Sequence, residues 1–244
     1  ISMMRFGWYG MFSSTLLSNS FFKSERTKAY FAGLAAHSIL PLENAFTASF
    51  GLVLGTTIHS VGWPIAKNGS HAITKALESY FKTLGGEIEL NTHIESLDEF
   101  PEGKPILFDL TPQQIVTIAD RKLPDSLRDK LLSYNYGPGV FKIDFALSEP
   151  VPWLNEECKK AGTLHLGGTM QELVHAEKEV WDGIHSTNPY VLISHPSLFD
   201  DSRAPKGKHV LHGYTPANEP WEIWENLNPK ELEYTDLKEE RCSI

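Results

Sequence analysis

The succession from residue 62 to residue 91 constrains the fold more than any other part of the chain. It begins with a turn-rich stretch from Gly62 to Ser70. Apolar residues then recur every three to four positions, which predicts an amphipathic helix over 69–85 with Ser70 as its N-cap. The pair Gly85-Gly86 predicts a left-handed helix stop. Alternation of polar and apolar residues over 87–91 then predicts a half-buried strand.

A second strand is predicted shortly after the first. Residues 106–110 are apolar except for Asp109, and such a run is typical of a strand buried on both faces. Thr111 and Pro112 follow with the residue types that open a helix, a capping hydroxyl and a proline in the first turn. Residues 70–120 therefore predict an α/β sandwich in the order helix, strand, strand, helix.

The first 60 residues are predicted to be helical and are unusually apolar. We expect a helix from Ser24 to about His37 and another from Ala45 to Thr57, separated by the helix-breaking Pro41. Helices that are apolar on more than one face must be covered on more than one side. Two interpretations follow: these helices pack a core, or they form the lid or wall of a hydrophobic substrate channel.

The pattern of apolar and polar residues changes after residue 136. Short β-rich segments occur at 140–147, 163–166, 190–195 and 209–214, and a helix is predicted over 171–181. This order predicts a mixed sheet with one crossover helix. A charged helix is predicted from Pro229 onward.

Charge and composition exclude some classes of function. The formal net charge is −9, and the sequence contains no basic stripe, so we expect no nucleic-acid partner. The apolar stretches at 29–40 and 45–58 are shorter than the roughly 20 residues that a spanning helix needs. Contact with a membrane surface or with a lipophilic substrate stays open.

No catalytic motif of a hydrolase or a metal enzyme is complete. There is no G-x-S-x-G sequence, and Gly137-Pro138-Gly139 precedes a predicted strand, so it is interpreted as a turn rather than a dinucleotide loop. His209 and His212 lie on a predicted strand, where they point to opposite faces, and no metal site is expected. The adjacent acids Asp200-Asp201 are interpreted as a solvated turn.

Several segments together resemble one family. They are, in chain order, GWPIAKNGSHAITKALESYFKTLGGEIELNTHIESL, ILFDLTPQQIVTIA, YGPGVFKIDFALSEPVPW, GTLHLGGTMQEL and PSLFDDSRAPKGKHVLHGYTP. This ordered set resembles the phytoene dehydrogenase-related branch of the flavin amine oxidase-like superfamily, whose members are NAD(P)/FAD-dependent oxidoreductases. The resemblance runs over nearly the whole chain.

The resemblance implies an α/β fold in two parts, a Rossmann-like FAD-domain segment and a substrate domain with a mixed sheet covered by helices. It implies that the cofactor is FAD and that the substrate is a hydrophobic, carotenoid- or isoprenoid-like molecule. The residues that it places near the adenine end and the cofactor are Thr92, His93, Ile94, Thr111 and Pro112. The residues that it places near the flavin or the substrate are Trp63, Pro64 and Lys67.

The family's N-terminal G-x-G-x-x-G and its C-terminal glycine-rich stretch do not occur in this sequence. Because the chain also starts at Ile1 and ends inside a predicted helix, we expect an internal piece of a longer flavoenzyme, one that alone binds FAD poorly. Its segments would be the helical part of the substrate domain (1–68), the FAD-domain segment (69–120), the mixed-sheet substrate domain (121–228) and the start of a helix (229–244). The alternative is a non-catalytic module that binds a lipophilic ligand.

Overall fold

The computed structural model describes residues 2–217, and the charged helix predicted from Pro229 lies outside the described residues. Two compact units divide the chain. The first unit contains residues 2–75 and 138–217, and the second contains residues 76–137. The division falls inside one helix, α5 (His71–Thr83).

The first unit combines helices with a four-stranded sheet. Its other α-helices are α1 (Ser2–Gly10), α2 (Ser14–Phe21), α3 (Glu25–Ala35), α4 (Thr47–Val61) and α8 (Met170–Trp181). Its strands are β1 (Gly139–Leu147), β2 (Thr163–Leu166), β3 (Val191–Ser194) and β4 (His209–Ala217). Short 3-10 helices cover Ala36–Ser38, Glu156–Lys160, Pro196–Leu198 and Asp201–Arg203. The strands and the helix predicted between residues 136 and 217, and the mixed α/β class, are therefore confirmed.

The sheet has the strand order β1-β4-β3-β2, and all three of its pairings are antiparallel. The prediction of a mixed sheet was therefore wrong. A helix between two strands suggested a parallel crossover, and α8 does separate β2 from β3. The nine residues of 182–190, however, can extend over roughly 30 Å, enough for the chain to return and enter β3 in the opposite direction.

Small residues bring α3 close to α8. Ala32, Ala35 and Ala36 are at most 2% exposed and share one apolar cluster with Met170 and Leu173 of α8. A second cluster joins α2, α3 and α4 through Leu17, Phe31 and Ala48. The prediction that the N-terminal helices pack a core is confirmed for α2, α3 and α4. One helix, α3, belongs to both clusters, and this fixes its position between α4 and α8.

The second unit contains the rest of α5, with α6 (Pro112–Ala119), α7 (Asp125–Leu132) and 3-10 helices at Leu97–Glu99 and Asp120–Lys122. The stop after α5 is confirmed: Gly85 has a φ of +82°, and the amides of Gly85 and Gly86 donate to Lys82 and Phe81, as in a Schellman motif. The opening of α6 is confirmed as well, because Gln114 Oε1 accepts from the Thr111 amide at 3.0 Å.

The two strands predicted in this unit do not form. Residues 87–91 and 106–110 are irregular or extended without strand partners in the described chain, and Leu90 and Leu107 are 77% and 97% exposed. The prediction of an α/β sandwich over 70–120 was therefore wrong for this structure. A strand is stable only when a neighbour takes its backbone hydrogen bonds, and sequence periodicity carries no information about that neighbour.

Candidate functional site

A cavity of about 570 Å³ opens within the first unit. One wall is α3, a second is the segment from Lys160 into β2, and α4 and the loop after it complete the enclosure. Its apolar lining includes Leu34, Ile58, Ile65, Leu164, Leu173 and Phe199. A mostly apolar cavity of this size is typical of a small-molecule site.

Three polar side chains are linked at the inner end of the cavity. The Tyr190 hydroxyl lies 3.0 Å from His165 Nδ1 and 3.2 Å from the carbonyl oxygen of Gly33. His165 Nε2 lies 3.3 Å from His37 Nε2. Gly33 lets α3 approach this closely, because a Cβ at residue 33 would lie 2.9 Å from His165 Nδ1. We name His37, His165 and Tyr190 the polar base of the cavity. His165 and Tyr190 line the cavity, whereas His37 contacts His165 and is not part of the lining.

One arrangement of hydrogens satisfies the whole polar base. The Gly33 carbonyl can only accept, so the Tyr190 hydroxyl donates to it. The tyrosine oxygen then accepts from His165 Nδ1, and His165 Nε2 accepts from His37 Nε2. In this arrangement the polar hydrogen of each of the three side chains takes part in one of these hydrogen bonds, so none is left to donate to a ligand.

Burial keeps the polar base uncharged at neutral pH. Desolvation, with a smaller contribution from His37, lowers the pKa of His165 from 6.5 to about 4. Burial also lowers the pKa of His37. The pKa of the Tyr190 hydroxyl is raised by burial first and then by the nearby acid Glu177. The inner end of the cavity is thus polar but neutral.

Glu177 lies on α8 behind Tyr190 and is 2% exposed. Together with Tyr190 and Thr215 it lines a second, much smaller cavity of about 10 Å³. Burial raises the pKa of its carboxyl group to about 7, and its Oε2 atom has no hydrogen-bond partner among the described residues. The surroundings of Glu177 therefore favour the protonated, uncharged form of its carboxyl group.

Asp200 and Arg203, which lie between β3 and β4, hold the loop after α4 in place through hydrogen bonds. The Asp200 carboxylate accepts from the Asn68 amide at 2.9 Å and from Arg203 Nε at 2.8 Å, and Arg203 also donates to the Ala66 carbonyl at 2.7 Å. Hydrogen bonds from Ser202 and Arg203 hold the pKa of Asp200 well below its usual range. This loop carries Trp63 and Ile65 into the cavity wall.

The sequence interpretation of Asp200 as part of a solvated turn was wrong, because its side chain is only 5% exposed. Only the neighbouring Asp201 is exposed. A local signal did exist: Asp200 is followed two residues later by Ser202, whose amide it caps at 3.1 Å. The hydrogen bond that Asp200 accepts from the Asn68 amide joins residues that are 132 positions apart, and no local sequence pattern predicts it.

The residues predicted near the flavin or the substrate have different positions. Trp63 lines the cavity, with its ring centre 6.3 Å from that of His37. Pro64 and Lys67 are exposed and do not line it. Sequence reasoning missed His165 and Tyr190, because a single histidine or tyrosine without ligand spacing carries no signal of its surroundings.

The residues predicted to bind FAD belong to the second unit. Thr92, His93 and Thr111 are exposed, and Ile94 and Pro112 are half-buried. Neither cavity described above contains any of the five. Thr92 donates to the Leu90 carbonyl at 3.3 Å, and Thr111 and Pro112 serve the start of α6. These residues do not form a cradle that fits FAD in this structure, and their assignment to the cofactor stays a prediction.

Among residues 2–217, no group of three or more metal-ligating side chains converges. No helix in the same range has the length and apolar character needed to cross a bilayer. Neither family models nor curated proteins give a match to this chain.

Proposed function

We propose that this chain binds a lipophilic small molecule in the cavity of the first unit, as the substrate-holding part of an FAD-dependent oxidoreductase. The observation that carries the proposal is the cavity itself, which is preformed, mostly apolar and closed at its inner end by neutral groups whose hydrogens are already engaged. Such a site favours ligands with apolar bodies, because entry costs little desolvation of polar groups.

The oxidoreductase part of the proposal rests on the family resemblance. In flavoenzymes the cofactor carries the hard chemistry, and the protein orients the substrate and keeps water away. The cavity is suited to that supporting role, since its described lining contains apolar side chains on several elements and no carboxylate.

A second candidate function is a binding module without catalysis. It is favoured by the contrast between the two units. The cavity of the first unit is formed, whereas none of the five residues assigned to FAD lines either cavity and three of them are exposed. The full-length protein distinguishes the two functions. A purified protein with a bound yellow chromophore that absorbs as flavin supports the oxidoreductase. A colourless protein that still binds lipophilic ligands supports the module.

Binding in the cavity is tested with 1-dodecanol, a neutral apolar probe, by equilibrium dialysis. We expect Leu164→Trp to weaken binding by at least about tenfold, because an indole at this position fills part of the cavity. Leu154→Trp is the matched control, since Leu154 is 79% exposed and does not line the cavity. Equal binding by the two folded variants, checked by circular dichroism, would show that the ligand binds elsewhere and would reject the proposal.

A further inference from the structure

The cavity of the first unit is charged only at its outer parts. Its described lining contains two basic side chains, Arg26 and Lys160, and no carboxylate. Both cations are solvent-exposed, whereas the polar base at the inner end is neutral. Polarity therefore changes along the cavity, from cationic near the solvent, through apolar walls, to neutral at the inner end.

The α3 wall shows this order within a single helix. Arg26, Ala29, Tyr30, Gly33 and Leu34 all line the cavity, and they follow the spacing that places residues on one helix face. Arg26 stands at the N-terminal end of this face and Gly33 meets His165. At 1.5 Å per residue, the two positions are about 10 Å apart along the helix axis.

The wall formed by residues 160–165 shows the same order, from a basic side chain to a neutral polar one. Lys160 lies just before β2, and His165 lies on β2, five residues further along. An extended segment of that length spans at most roughly 17 Å. Both walls thus begin with a cation and end at the point where Gly33 and His165 meet.

The two cations differ in the partners they already have. The Lys160 ammonium pairs with Glu157 at 2.7 Å, in an ion pair whose side chains are 70% and 64% exposed, so that pair contributes little stability. The acid next to Arg26, Glu25, pairs with Lys28 instead. The contacts of the described residues give the Arg26 guanidinium no carboxylate partner, which leaves its planar donors open to a bidentate anion.

Resting on the proposed function, we infer that the ligand of this cavity is an amphiphile with one anionic head group, a fatty-acid-like carboxylate. The head group binds at Arg26, with support from Lys160. The apolar tail follows the α3 face past Ala29 and Leu34 toward the polar base. Because the hydrogens of the polar base are engaged there, the buried end of the ligand is apolar.

The test compares dodecanoate with 1-dodecanol on the same protein by equilibrium dialysis. We expect dodecanoate to bind about two- to fivefold more tightly at low salt, with the advantage shrinking in high salt. Arg26→Gln removes that advantage, so the variant binds dodecanoate no more tightly than 1-dodecanol. Arg128→Gln is the matched control, because Arg128 lies on α7 in the second unit and does not line the cavity.

Two results would overturn the inference while leaving the proposed function intact. One is equal affinity for the acid and the alcohol. The other is an Arg26→Gln variant that loses no more affinity for dodecanoate than Arg128→Gln does. If neither probe binds, the proposed function fails and this inference with it. Arg26 is exposed, so circular dichroism should show both variants folded like the wild type.

Discussion

At the scale of single residues, the polar base shows how a small residue permits a buried network. Gly33 has no side chain, so His165 can lie against α3, and Tyr190 can reach the Gly33 carbonyl. A methyl group at residue 33 would press on the imidazole and separate the partners. The sequence indicated none of this, because the three side chains come from positions 37, 165 and 190 and meet only where Gly33 of α3 contacts His165 and Tyr190.

The first prediction concerns the pH dependence of stability. In the folded chain the pKa of His165 is about 4, below the ordinary value of 6.5. Between these two pH values the unfolded chain therefore binds a proton at this residue that the folded chain does not bind. This contribution to stability is complete above pH 6.5 and is lost as the pH falls toward 4. Burial lowers the pKa of His37 as well, and its contribution has the same sign.

Urea unfolding measured from pH 4 to pH 7 checks this prediction against the variant His165→Gln. We expect the free energy of unfolding of the wild type, taken relative to that of the variant, to decrease as the pH falls from 6.5 toward 4. Glu177, whose pKa burial raises to about 7, titrates in the same range with the opposite sign, and the comparison cancels its effect because both proteins contain it. Asp200, whose pKa is lowered, loses its contribution only below its ordinary pKa of 3.8, so it acts in a separate pH window. Identical slopes for the two proteins would contradict the assignment of a half-buried His165 that stays uncharged in the folded chain.

At the scale of elements, α5 and α8 show what periodicity can and cannot predict. Both helices have an apolar stripe in the sequence, and both form where the pattern predicts them. The stripe of α8 is buried, with Leu173 only 4% exposed. No residue of α5 is buried, and Leu77 in its stripe is 65% exposed. The amphipathic pattern therefore predicted both helices, but it corresponds to a buried apolar stripe only in α8.

The second prediction follows from this difference. Leu173→Ala should cost about 2–4 kcal/mol in the free energy of unfolding, because it leaves a cavity in the core. Leu77→Ala should cost less than about 0.5 kcal/mol, because the side chain is largely in water already and alanine is a good helix former. Circular dichroism during urea unfolding measures both. A loss of 2 kcal/mol or more for Leu77→Ala would mean that another surface covers the α5 stripe.

At the scale of the whole molecule, the two units differ in how much of their chain is buried. The first unit contains both apolar clusters and the sheet, whereas in the second unit the buried apolar side chains among the described residues are Val116 and Ala119. Local opening costs least where few apolar contacts and few backbone hydrogen bonds must be broken. The units should therefore differ in local stability.

The third prediction is that amide hydrogens exchange at different rates in the two units. Residues 86–110 have no strand partners in the described structure and should exchange within seconds to minutes. The amides of β4, which pairs with β1 and β3, should be protected by several orders of magnitude. Hydrogen exchange followed by mass spectrometry measures both segments in one experiment. Comparable protection would indicate that the segment 86–110 has backbone partners in solution.

Local chemistry in the sequence was sufficient to predict α3, α4, α5 and α8, the stop at Gly85-Gly86, the opening of α6 and the four strands after residue 136. These features depend on contacts within a few residues, so a linear pattern carries them. Tertiary structure alone decided the antiparallel order of the sheet, the absence of strands at 87–91 and 106–110, and the meeting of His37, His165 and Tyr190 around one cavity. Each of those depends on which distant surface covers a segment. A local pattern indicates which face tends to be buried, but it does not indicate which distant segment covers that face.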